Sequence, residues 1–135
     1  KAWLLAASTR TIAAVPLGKH PELPRIWLAH SAEPEVGASL TDRFGLRAIR
    51  ALAFARRVGF RGRVRMVRVR ERDLTFLLGS GLELRLGALR AIPLKLAIAA
   101  KVVPGLLSQG GYRYLDVSVP ARPVAGTTLK SQPEP

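Results

Sequence analysis

The sequence predicts an α+β domain: an antiparallel β-sheet with two helices and a C-terminal edge strand. Three observations lead there. Segments of period-two alternation, clearest over 74–86, are interleaved with two longer stretches at helical spacing. The chain has 135 residues of which 48% are hydrophobic, enough apolar material for one core and one domain. The last alternating segment follows a helix and has no strand pattern after it, which places it at a sheet border.

Two apolar runs, 2–7 and 12–17, flank the polar pair Thr9 and Arg10, and predict a hairpin of two buried strands. Pro21 and Pro24 bracket a loop, Arg25-Ile26-Trp27-Leu28 makes a short strand, and 30–40 is a polar surface connection. Thr41 and Asp42 are N-cap residues, because their side-chain oxygens accept from the unpaired amides of a first helical turn. Leu46, Ile49, Leu52, Ala53 and Val58 then recur near helical spacing, with Arg43, Arg47, Arg50 and Arg57 on the other face. This is an amphipathic helix over 42–58, stopped by Gly59.

Val64 and Met66 alternate with arginines, after which the phase slips and Val67 and Val69 carry the apolar pattern. A period of two that jumps by one residue marks a β-bulge near Met66 and Val67. Leu74, Phe76 and Leu78 form one arm of a hairpin, and Leu82, Leu84 and Leu86 form the other. Gly79-Ser80-Gly81 supplies positive-φ residues for the loop between them. An apolar helix over 92–107 follows, with Pro93 in its first turn, Gly110-Gly111 past its end, and Pro104 bending or ending the regular part. The apolar stretch 94–107 is too short and too interrupted for a membrane span. In the final strand, 112–119, Leu115, Val117 and Val119 face one way and Tyr112, Tyr114, Asp116 and Ser118 the other. Pro120 and Pro123 close it, so the expected domain is 1–119 with a flexible tail over 120–135. The chain starts at Lys1 with neither an initiator Met nor the apolar core of a signal peptide, as expected of a piece whose upstream part is missing.

Net charge is +13, from 22 Lys and Arg against 9 Asp and Glu. Eleven of the arginines fall between positions 43 and 72, where the one acid is Glu71. Such a surface attracts an anionic partner: nucleic acid, an anionic membrane or an acidic protein segment. The excess of 17 Arg over 5 Lys also fits the coding bias of a GC-rich genome, and both readings stand. With no cysteine, disulfide frameworks and Cys-ligated zinc modules are excluded. His20 and His30 lack the spaced companions of a metal set, Glu33 and Glu35 do not make an acid/base pair by spacing alone, and Ser8 and Ser80 have no nucleophile-elbow context. No cofactor or metal pattern is present, and enzyme is the weakest class. Nucleic-acid binding rests on charge alone, because the arginine-rich strand 61–72 holds no aromatic stacking residue.

The second half resembles the extracytoplasmic β domain of the cell-division family FtsQ/DivIB. The resemblance is carried by Gly81-Leu82-Glu83-Leu84-Arg85-Leu86-Gly87, by the helix from Leu94-Lys95-Leu96 through Val102-Val103, and by Tyr114-Leu115-Asp116-Val117-Ser118-Val119-Pro120 with Arg122-Pro123-Val124-Ala125 after it. In order and spacing it covers 63–125, and it extends weakly to the start of the chain. It implies a non-catalytic scaffold of the divisome, held at the cell membrane by a single upstream span, with a POTRA domain between span and β domain. It implies FtsB- and FtsL-type partners, the former adding an extended segment to the terminal strand. Carried over by position, the docking residues are Tyr112, Tyr114, Asp116, Val117, Ser118 and Val119, and Arg72 matches an arginine that pairs with partner acids. Ser118 stands where the family usually has Arg, and Val119 and Thr127 where some members are aromatic, so the side-chain anchors differ. A basic nucleic-acid-binding domain is the alternative.

Overall fold

A computed structural model describes residues 2–6, 8, 10–28, 33–58, 63–70 and 73–127. Its described elements are β1 (Ala2–Leu5), β2 (Thr11–Val15), β3 (Arg25–Leu28), α1 (Arg43–Arg57), β4 (Val64–Arg70), β5 (Asp73–Leu78), β6 (Glu83–Ala88), α2 (Ile92–Gln109), β7 (Tyr114–Asp116) and β8 (Val124–Gly126). The α+β class holds. β1 and β2 pair antiparallel in a sheet of their own, and the other six strands form one sheet in the order β3-β4-β5-β6-β7-β8.

The main sheet is mixed rather than purely antiparallel. β4-β5-β6 and β7-β8 are antiparallel, while β3-β4 and β6-β7 are parallel. The reason lies in the connections. Each parallel pair is joined through a helix, α1 for the first and α2 for the second, and a helical crossover returns the chain in its original direction.

Asp42 caps α1 by accepting the Gly45 amide on Oδ1 at 3.2 Å, as expected of an N-cap bonded to the third helical residue. Ala48, Ala51 and Ala55 line the inner stripe of that helix, and their small side chains let it lie close to the sheet. The Gly59 stop falls outside the described residues. In α2, Pro93 occupies the first turn, and the Gly110 amide closes the helix on the Leu106 carbonyl at 2.9 Å. Pro104 does not end it, since the helix runs on to Gln109. At 18 residues with a mean hydropathy of 1.2, α2 has the length and composition of a membrane span, yet it sends Leu96, Ala99 and Val103 into the protein core. It is longer than its apolar run because Ile92, Pro93, Ser108 and Gln109 extend the helix at both ends.

The core is a single cluster between the helices and one face of the sheet. Val67, Val69, Leu74, Phe76, Leu78, Leu82, Leu84, Leu86, Leu115 and Val117 meet the alanine stripe of α1 and the inner residues of α2. The register slip in β4 is a bulge between Val64 and Met66, one residue before the expected place. In the β5–β6 loop only Gly81 takes positive φ, at 92°, while the Gly81 amide bonds the Leu78 carbonyl at 2.9 Å. The expectation of two buried opening strands is corrected. β2 alternates instead, with Thr11 buried and Ile12 52% exposed, so the strand buries one face rather than both.

The largest correction concerns the C-terminus. Residues 112–119 were expected to form an edge strand with a bare side, and 120–135 a tail. Instead β7 is flanked by β6 on one side and by β8 on the other. The prolines do not close the strand; they build a reversal. The Arg122 amide bonds the Val119 carbonyl at 2.9 Å, a four-residue turn with Pro120 at the second position, where its fixed φ is favoured. The chain then returns as β8, opposite β7, so the sheet extends past residue 119, while 128–135 of the expected tail lie outside the described residues.

Candidate partner-binding edge

β7 is positioned from both sides. The Glu83 amide bonds the Arg113 carbonyl, and the Val117 amide bonds the Arg85 carbonyl, each at 2.9 Å. Main-chain groups alternate along a strand, so the odd-numbered residues of β7 turn theirs toward β6 and the even-numbered ones toward β8. Tyr114 stands opposite Gly126 and Asp116 opposite Val124. Those two β8 residues therefore spend their main-chain groups on β7, and the Gly126 carbonyl further accepts the Arg113 amide at 2.8 Å. The N–H and C=O of Ala125 point the other way. Among the described residues no strand pairs with that side of β8.

The expected docking residues divide accordingly. Val117 is fully buried and its amide is used inside the sheet, so it presents nothing to a visitor. Asp116 turns inward on its neighbour: Oδ1 accepts the Ser118 amide at 2.8 Å and the Ser118 hydroxyl at 2.5 Å. This link to the residue two positions on starts the reversal. Ser118 also lies against Gly87, where a built Cβ would come within 2.5 Å of the Ser118 Cβ. Gly87 has φ 68° at a bulge in the β5–β6 ladder, so both its conformation and its surroundings require glycine there. Tyr112 is half-buried against the core, and Val119 is exposed at the start of the turn. Arg72 lies outside the described residues.

Tyr114 is a clamp. Its ring lies over Gly126, and a Cβ built at 126 would run into it. From the other direction the Arg85 guanidinium sits 4.0 Å from the ring centroid, while Arg85 Nε pairs with Glu83 Oε1 at 2.7 Å. An aromatic ring laid across an edge glycine replaces the packing the glycine lacks. Sequence reasoning missed β8 entirely; the available signal was the Pro-Ala-Arg-Pro turn followed by three small apolar residues.

At the end of β6 lies Lys95, on the first turn of α2, with only 2% of its surface exposed. Its Nζ donates to the Ala88 carbonyl at 2.9 Å, tying the end of β6 to the helix. Burial, and secondarily the Arg90 charge, push its pKa below the ordinary 10.5. His20 Nδ1 stands 3.4 Å from Glu22 Oε2 in the loop before β3, and His30 lies outside the described residues.

Compared with known protein families and with curated proteins, the chain matches none.

Proposed function

We propose that this domain is a non-catalytic interaction module that receives an extended partner segment along the free side of β8. The reading follows the resemblance to FtsQ/DivIB, with FtsB- and FtsL-type division proteins as partners and a place outside the cytoplasmic membrane, below an upstream anchor. One observation carries it: among the described residues β8 is the sheet's border strand, with the Ala125 N–H and C=O directed away from β7. A visiting strand pairs through such main-chain groups and draws specificity from alternate side chains. The docking rim is thus one strand later than 112–119, and Tyr114 contributes by holding β8 in place.

The test is Ala125→Pro. It removes the outward donor while leaving the β7–β8 hydrogen bonds intact, and an edge-strand position of this kind tolerates proline. Titration of the chain with a C-terminal FtsB-type peptide should show binding that the variant loses. Unchanged binding by a folded variant overturns the reading, as does absence of peptide binding alongside tight, salt-sensitive binding of nucleic acid.

A further inference from the structure

The opposite rim of the sheet has another chemistry. β3 pairs only with β4 among the described residues, so half of its main-chain groups face an open side. The register sets Arg25 beside Met66 and Trp27 beside Arg68. Val67 and Val69 point into the core and Ile26 packs against it, so Arg25, Trp27, Met66, Arg68 and Arg70 share the outer face. Both helices pack on the inner face. Trp27 is 62% exposed, a large apolar ring left in solvent. Arg25, Arg68 and Arg70 are exposed and form no ion pair among the described residues.

We infer that the β3 rim is a second docking site, for an acidic extended polypeptide that adds to β3 with its carboxylates against Arg25 and Arg68 and an aliphatic stem against Trp27. Charge complementarity selects the occupant. Neighbouring strands lie about 4.8 Å apart, so carboxylates on the outer face of an added strand fall within reach of Arg25 directly and of Arg68 across β3. Trp27 supplies the partly desolvated aromatic anchor typical of hot spots, and the arginines supply charge-assisted hydrogen bonds. Single-stranded nucleic acid fits less well. Stacking platforms offer successive open rings, whereas here Trp27 stands alone: the second ring of this face, Tyr114, is enclosed between Arg85 and Gly126. The inference does not rest on the proposed role of β8, which lies at the far border of the sheet.

The probe is an eight-residue peptide alternating Glu and Val, which on strand addition puts every carboxylate on the arginine face. Binding is followed by Trp27 emission in a Trp3→Phe background, with a Lys-Val peptide and an eight-nucleotide oligo-dT as comparisons. The Glu-Val peptide should bind and the Lys-Val peptide should not. Arg25→Glu with Arg68→Glu should weaken binding about tenfold or more. Arg47→Glu with Arg50→Glu, on the exposed face of α1, lowers the net charge equally and should change affinity by less than about twofold. Ala125→Pro should leave it unchanged, so failure at one rim is distinguishable from failure at the other. Equal loss in both charge-reversed pairs overturns the inference, because attraction is then only the field of the whole molecule. So does the absence of Glu-Val binding, or tighter binding of oligo-dT through Arg25 and Arg68.

Discussion

The two rims of the main sheet solve the problem of an unpaired border by different means. At β8 the residues are Val124, Ala125 and Gly126, uncharged and small, and the strand is held from within by the Tyr114 ring and the Pro120 turn. At β3 the residues are Arg25, Ile26, Trp27 and Leu28, and the strand is backed by the arginines of β4. A charged rim repels unselected strands and admits acidic ones; an uncharged rim depends on being short. The difference teaches that border chemistry, more than position, decides which visitor a sheet accepts.

The comparison breaks most severely at position 126. Gly126→Val drives a branched side chain into the Tyr114 ring, and overpacking of this kind costs about 1–3 kcal/mol. Denaturant unfolding should show that loss, and amide exchange should rise at β8 while the β3–β4 amides keep their protection. An unchanged midpoint would mean that Tyr114 does not hold the border.

A second measurement separates the buried support of the sheet from its charged rim by their response to solution conditions. Lys95 is buried where α2 meets the end of β6, well inside the sheet from the charged β3 rim, and has a pKa below 10.5 in the fold. A base with a depressed folded-state value is disfavoured in its charged form by folding, so the unfolded chain binds more protons through the window between the lowered value and 10.5. Stability should therefore rise with pH across that window in the wild type relative to Lys95→Met, and the difference should level off above it. The arginines near β3 should respond to salt instead. Parallel pH profiles for the two proteins would remove Lys95 as the cause.

The smallest effect is expected at Trp27. Being largely exposed, its replacement by Ala should shift unfolding by no more than about 0.5 kcal/mol, although it lies in a strand. A cost several times larger would show that the ring is structural, and would leave the β3 rim without its anchor.

What could be read from the sequence follows how local the signal is. The β5–β6 hairpin, the Asp42 cap, the α2 ends with Pro93 and Gly110, and the slip in β4 all leave marks within a few residues, and each is present within a residue or two of its expected place. β8 left no such mark, since three residues cannot show an alternation and the flanking prolines resemble a chain end. Its stability comes from Tyr114, which stands opposite Gly126 only after the chain has reversed. The meeting of Trp27 with Arg68 was invisible for a related reason. The arginine-rich strand contains no aromatic, and a neighbouring parallel strand supplies one.

Tyr114 against Gly126 ties the room available at two distant positions to each other. A side chain gained at 126 is tolerable only where the phenol has already shrunk, and a shrunken residue at 114 leaves an exposed gap that a new methyl would fill. Descendants of this sequence should therefore change both positions together or neither, so that the last strand survives as a pair of compensating volumes even where its letters are lost.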